Sequence, residues 1–399
     1  MASMDGNAAI VTGAAWAVVK DVTAKQLRTR AAAAFAVACA VSVAAPASAA
    51  AGVAAGKAST AAVSGAVLPT STSWPTPQIG MTLAYPAYTP EAKPSLLLTL
   101  NGGHNWLRLP PPPMPFPTDQ NLPQLAFGDG VIAVTNGTQV QSSHDAGAHW
   151  SQVHLSGVSS TGGTRLFTGD LTITRGRMLA LVTQFKGTQG VAAVYAGAAS
   201  GTRMTPVPGL AEAGGEVYGS ISAAGGLQAA LGSDYQNERY WYARSGSTFT
   251  AAQLPCPATR VPLLGGVRDG TPVALCAESP STVAPGETLA QVYTAPRLGG
   301  RFSASGKDTP VPNPQRFAAA SGRDMALAAA PGLGATFNAG GSWVPVVKTP
   351  AGSFWNSLAF VSPTVGVAVG STITQSSQLV SHVYRTTNAG RRWTALTLP

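Results

Sequence analysis

From about residue 68 to the C-terminus, short apolar stretches alternate with breaks of Gly and Pro; residues 96–98, 131–134, 178–182 and 365–369 are the clearest. Runs this short, bounded by turn residues, predict β-strands. Between residue 69 and the end, no twelve-residue stretch keeps a 3.6-residue apolar period free of Gly and Pro. The body is therefore expected to be all-β. Residues 50–67 are Ala, Gly, Ser, Thr and Val with one Lys, which supply neither periodicity nor bulk for packing. They are expected to form a flexible tether.

The breaks repeat. Thr99-Leu100-Asn101-Gly102-Gly103-His104-Asn105-Trp106, Ser143-His144-Asp145-Ala146-Gly147-Ala148-His149-Trp150, Thr336-Phe337-Asn338-Ala339-Gly340-Gly341-Ser342-Trp343 and Thr386-Thr387-Asn388-Ala389-Gly390-Arg391-Arg392-Trp393 share the pattern Ser/Thr-x-Asp/Asn-x-Gly-x-x-Trp. None of the other four tryptophans, Trp16, Trp74, Trp241 and Trp355, stands in the full pattern. Each position suits a tight hairpin: the Asp or Asn side chain accepts turn N–H bonds, Gly supplies φ > 0, and the hydroxyl adds a weaker turn bond. The Trp then returns to cover the sheet. Packed there, Trp150 is expected to cost about 3–5 kcal/mol on truncation to Ala if buried.

These residues resemble the Asp-box, or BNR repeat, of the sialidase-like, sortilin-like and photosystem assembly-factor-like β-propellers, with Ser143, Asp145, Gly147 and Trp150 the closest copy. The resemblance covers the chain from about residue 70 to its end and implies a single β-propeller over residues 68–399. The spacing gives the blade count. Trp106 and Trp150 are 44 residues apart and Trp343 and Trp393 are 50 apart, so the 193 residues between Trp150 and Trp343 have room for three further copies. Degenerate candidates at Gly201, Gly246 and Gly299 keep a Gly three residues before a bulky apolar residue but lack the Asp or Asn. Seven four-stranded blades fit best, with six and eight as the alternatives. In the last blade the strands are expected at residues 357–361, 366–370, 383–387 and 393–398; the first blade is expected to start near Ser73, closing without a shared blade.

In a four-stranded meander the turns after the first and third strands share one rim, here called lower, and the loops after the second and fourth share the upper rim. Asn101, Asp145, Asn338 and Asn388 then sit on the lower rim as structural residues. The longer loops, residues 87–94, 110–117, 232–239, 277–289 and 371–382, fall on the upper rim, where binding sites are most often built. The most site-like is residues 234–239, in which Tyr235, Asn237, Glu238 and Arg239 combine an aromatic ring with amide, acid and guanidinium groups suited to sugar or peptide. Tyr240, Trp241 and Tyr242 read more simply as a third strand whose rings pack between blades.

Charge and composition narrow the partners. Only 10% of residues are charged while 45% are hydrophobic, which excludes a charge-rich coiled coil and wholesale disorder. The net charge of +9 is spread without a dense basic stripe, so nucleic acid is not an expected partner. Lys20, Lys25, Arg28 and Arg30 precede the apolar run 31–45 and the small-residue site Ala47-Ser48-Ala49. This is the order of a secretory signal over residues 1–49, which leaves no membrane span in the mature chain; an uncleaved anchor and a lipoprotein at Cys39 are the weaker readings. Cys256 and Cys276 then form an even pair in an oxidising compartment and are expected to be bonded. No CxxC or Cys/His cluster points to a metal, and no cofactor is expected.

For chemistry, the sialidase resemblance implies an arginine triad, a Tyr–Glu nucleophile pair and an acidic residue on the inner strands, with a Phe/Tyr-Arg-Ile-Pro stretch near the start of the domain. That stretch is absent here. Other hydrolases need two carboxylates at suitable separation, for which Asp234, Glu238, Glu278 and Glu287 lie on upper loops. The expectation is a secreted, monomeric, non-catalytic propeller, free or associated with the cell envelope, binding an extracellular protein, glycan or cell-wall polymer. The alternative is a glycoside hydrolase of sialidase-like fold.

Overall fold

The computed structural model describes residues 67–87, 91–115, 123–158, 164–215, 217–223, 226–233, 236–243, 248–253, 255–257, 260–268, 270–278, 288–311, 314–329, 332–350, 353–373 and 379–399. The expected signal and nearly all of the tether lie outside them. Among the described residues every regular element is a strand, and no helix is long and apolar enough to cross a membrane.

The strands follow one another as antiparallel meanders. The first is β1 (Leu68–Ser73), β2 (Gly80–Tyr85), β3 (Ser95–Thr99) and β4 (Leu107–Leu109); the second is β5 (Gln124–Gly128), β6 (Val131–Thr135), β7 (Val140–Ser143) and β8 (Ser151–Leu155). The third is β9 (Thr164–Thr174), β10 (Arg177–Lys186), β11 (Gln189–Ala198) and β12 (Arg203–Gly214); the fourth is β13 (Val217–Ser222), β14 (Leu227–Ser233), β15 (Gln236–Ala243) and β16 (Thr250–Ala252). The fifth has β17 (Arg260–Arg268), β18 (Thr271–Glu278), β19 (Thr288–Thr294), β20 (Ser303–Ala304) and β21 (Thr309–Val311), of which the last two both pair with β19. The sixth is β22 (Pro314–Ala319), β23 (Met325–Ala329), β24 (Gly332–Thr336) and β25 (Val344–Lys348), and the seventh β26 (Phe354–Phe360), β27 (Gly366–Ile373), β28 (Leu379–Thr386) and β29 (Thr394–Ala395). The second and third meanders join into one eight-stranded sheet, because β8 and β12 pair in parallel with Arg203 opposite His154.

Among the described residues, five hydrophobic clusters lie between consecutive meanders. Ala126 and Val140 of the second pack with Met178 and Tyr195 of the third. Leu181 and Leu210 of the third meet Leu227 and Trp241 of the fourth, and Tyr240 of the fourth meets Leu264 and Phe302 of the fifth. Leu275 and Val292 contact Phe317 and Met325, and Leu333 contacts Trp355 and Phe360. Tyr240 and Trp241 are buried, so the aromatic run does pack between sheets from a third strand. The first strands touch in order, β1 with β5, β5 with β9, β9 with β13, β13 with β17, β17 with β22 and β22 with β26, and β26 also touches β1.

Two expectations are corrected. The first strand begins at Leu68, five residues earlier than Ser73, since Thr70, Ser71 and Thr72 are buried in β1. Their hydroxyls replace water: Thr70 donates to the Leu83 carbonyl at 3.2 Å, Thr72 to that of Met81 at 2.9 Å, and Ser71 accepts the Leu125 N–H at 3.0 Å. In the seventh meander the β27–β28 hairpin extends past the expected ends at both 370 and 383, because Ser371 and Ser381 pair inside it with Oγ atoms 2.6 Å apart.

Cys256, just after the fourth meander, is bonded to Cys276 in β18 of the fifth. Closing a loop of this size stabilises by about 3 kcal/mol. Replacing both cysteines by Ser should lower unfolding free energy by about that amount, read from urea melts.

Candidate functional site

The four Ser/Thr-x-Asp/Asn-x-Gly-x-x-Trp segments join third to fourth strands and are held by one bonding scheme. The first hydroxyl receives the Gly N–H: Gly103 on Thr99 at 2.8 Å, Gly147 on Ser143 at 2.9 Å, Gly340 on Thr336 at 2.9 Å and Gly390 on Thr386 at 3.1 Å. The Asx Oδ1 receives the N–H four residues on, at 2.9 Å in all four: Asn105 on Asn101, His149 on Asp145, Ser342 on Asn338 and Arg392 on Asn388. Gly147 has φ 87° and a Cβ there would lie 2.4 Å from the Pro110 carbonyl oxygen, so both conformation and space demand Gly.

The tryptophans differ. Trp393 is buried with its ring 6.0 Å from Phe360, and Trp106 stands edge-on to Trp74 at 6.3 Å. Trp150 and Trp343 are only partly buried. The expected cost of Trp150→Ala is therefore too large, and Trp393→Ala inherits it at about 3–5 kcal/mol.

Asp145 is the one acid among the four Asx positions. The His149 backbone N–H and imidazole, with smaller help from Ser143, hold its carboxyl at about 2, below its ordinary 3.8. A depressed acid contributes stability above its unfolded pKa that is lost as pH falls through the folded value. Asp145→Asn should keep the turn, as Asn does in the other three, and should flatten the part of a stability–pH curve between about pH 4 and pH 2.

On the upper rim, Tyr235 lies outside the described residues, as do Asp234, Glu287 and the side chains of Asn237 and Glu238. The anticipated loop 232–239 is a short connection, since β14 runs to Ser233 and β15 starts at Gln236. Arg239 is thus a strand residue, and its Nε lies 2.8 Å from Oε1 of Glu212 on β12. Glu212 was missed by the sequence reading; it sits in an alternating strand end with no motif around it. Its side chain is only 8% exposed, and burial raises its carboxyl pKa while Arg239 offsets part of the rise. Substituting Arg239 is therefore not neutral. Arg239→Ala leaves Glu212 buried without its cation and should cost about 1–2 kcal/mol, discounted for the exposed guanidinium, in a thermal melt.

The second polar cluster is on the fifth sheet. Arg260 at the start of β17 stands directly opposite Glu278 at the end of β18, and its Nη1 bonds Oδ1 of Asp308. That bond, followed by attraction to Asp308, Tyr293 and Glu278, raises the guanidinium pKa against the opposing effect of burial. Glu278 Oε2 also accepts the Leu289 N–H at 3.1 Å. The Arg260 N–H bonds the Pro257 carbonyl at 3.0 Å, one residue from the disulfide, which ties the cluster to that link. Asp308 thus pairs directly with a largely buried cation that Glu278 attracts from across the strand pair. Among the described residues no group of three or more His, Cys, Asp or Glu could hold a metal ion.

No family model and no curated protein matches the chain. Solved structures similar to it include a PL25 ulvan lyase, 9% identical over 81% of this chain and 92% of that one with a TM-score of 0.49. A GH74 xyloglucanase from Xanthomonas campestris is 11% identical over 82% and 72%, TM-score 0.27. The Trypanosoma rangeli sialidase is 15% identical over 67% and 54%, TM-score 0.38. At these values no residue role is transferred from any of them. The similar structures are mostly glycoside hydrolases and polysaccharide lyases, which runs against the expectation of a non-catalytic binding or scaffold protein, and that expectation is withdrawn.

Proposed function

We propose that this chain is a secreted carbohydrate-active enzyme, a glycoside hydrolase carried on a seven-bladed Asp-box β-propeller. The ring is supported by the chain of first-strand contacts that returns from β26 to β1. It is also supported by Arg385 of β28, which donates to the Pro77 carbonyl at 3.1 Å and lies 5.9 Å over the Trp74 ring. The disulfide is compatible with an extracellular protein.

The observation that carries the activity is Arg260, bonded to Asp308 and standing opposite Glu278 across β17 and β18. Glycoside hydrolysis needs two carboxyl groups, one to protonate the leaving oxygen and one to act as nucleophile or to activate water. A cation attracted by both acids offsets their mutual repulsion. Arg260 also draws on the disulfide-linked segment for its position; Glu278 ends strand β18, and Asp308 lies between β20 and β21, held by Arg260.

The test is release of reducing ends from a panel of neutral and anionic polysaccharides by the purified protein, with Glu278→Gln and Asp308→Asn as variants. Each variant should lose at least about 100-fold in kcat with little change in melting temperature, the usual scale for removing one acid–base group. Absence of cleavage across the panel, or full activity in both variants, overturns the proposal.

A further inference from the structure

We propose that the lower rim of the fifth, sixth and seventh sheets binds an anionic extracellular polysaccharide through an arc of arginines. This surface is on the opposite rim from Glu278 and does not rest on the hydrolase reading. Arg297 and Arg301 flank the β19–β20 turn, Arg323 lies in the β22–β23 turn, and Arg391 and Arg392 lie in the β28–β29 turn; all five are exposed.

The three turns are neighbours. Ser305 donates to the Ala339 carbonyl at 3.2 Å and a Cβ on Gly306 would lie 2.7 Å from the Gly340 carbonyl carbon, which joins the fifth sheet to the sixth. Arg391 lies 3.6 Å from Asp324 and 4.4 Å over the Phe337 ring, which joins the sixth to the seventh. Within the arc the described acid is Asp324, half-buried and already paired with Arg391. That leaves Arg297, Arg301, Arg323 and Arg392 as an excess of cations facing solvent.

The choice of cation also points to a ligand. None of the four described lysines, Lys93, Lys186, Lys307 and Lys348, stands on a lower turn. Arginine presents a planar fork that binds carboxylate or sulfate with two parallel N–H bonds, whereas lysine offers a point charge. Several such forks spread over three rigid turns suit a repeating anion on a chain better than a single small ion. A uronate or sulfated glycan has this chemistry.

The full secreted chain is tested for binding to polygalacturonate, dextran sulfate, neutral dextran and duplex DNA, compared at one salt concentration and then over a salt series. Polygalacturonate or dextran sulfate should bind at least tenfold more tightly than dextran, and more weakly as salt rises. The combined variant R297Q/R301Q/R323Q/R392Q should lose at least tenfold with an unchanged melting temperature, while Lys186→Gln, an exposed cation in the upper β10–β11 turn, binds as the parent does. If the combined variant fails to fold, the pairs R297Q/R301Q and R323Q/R392Q should each lose part of the affinity. Equal binding to neutral dextran, no binding to either polyanion, tighter binding to DNA, or undiminished binding by the folded variants overturns the proposal.

Discussion

The bond from a Ser or Thr hydroxyl to the Gly N–H four residues later sets the conditions for the rest of the fold. It closes the return from third to fourth strand inside a few residues, and it does so where the next sheet already presses close. Beyond Gly147 on Pro110, a Cβ on Gly103 would meet Leu396 and one on Gly340 would meet Val292, each at 2.6 Å. A bulkier or looser turn would hold neighbouring sheets apart and open the clusters that lie between them. Because those inter-sheet clusters are the core, the turns set the spacing on which burial depends.

Tight lower turns also divide the molecule chemically. Their hydroxyls, amides and N–H groups are spent on one another, so this rim offers ligands side-chain charge rather than free backbone polarity. The upper rim is different: Glu212 pairs with Arg239 and Asp308 with Arg260, which stands opposite Glu278. Glu212 and Asp308 are held by cations rather than by turn N–H groups, an arrangement that leaves acceptor positions for an incoming hydroxyl-rich ligand.

Much of this was legible in the sequence. The turns announce themselves because Asx, Gly and Trp stand at fixed offsets, and the Cys256–Cys276 bond was expected from the even pair of cysteines that follows the expected signal. The polar first strand was hidden, because Thr70, Ser71 and Thr72 look like linker until their hydroxyls are seen to bond Leu83, Met81 and Leu125. The parallel pairing of β8 with β12 has no local signature, being set by the approach of two outer strands. The upper acids were only half visible. Glu278 stood among the candidates, whereas Glu212 and Asp308 gain meaning only from Arg239 and Arg260, each more than twenty residues distant in sequence.

The central claim is that sugar chemistry takes place at the upper end of the fifth sheet. A crystal structure of the Asp308→Asn protein with an oligosaccharide taken from a cleaved polysaccharide tests it most directly. The account predicts a glycosidic oxygen within hydrogen-bond distance of Glu278, with Arg260 against the sugar and the disulfide unmoved. An oligosaccharide seated elsewhere, with Glu278 and Arg260 untouched, would contradict it.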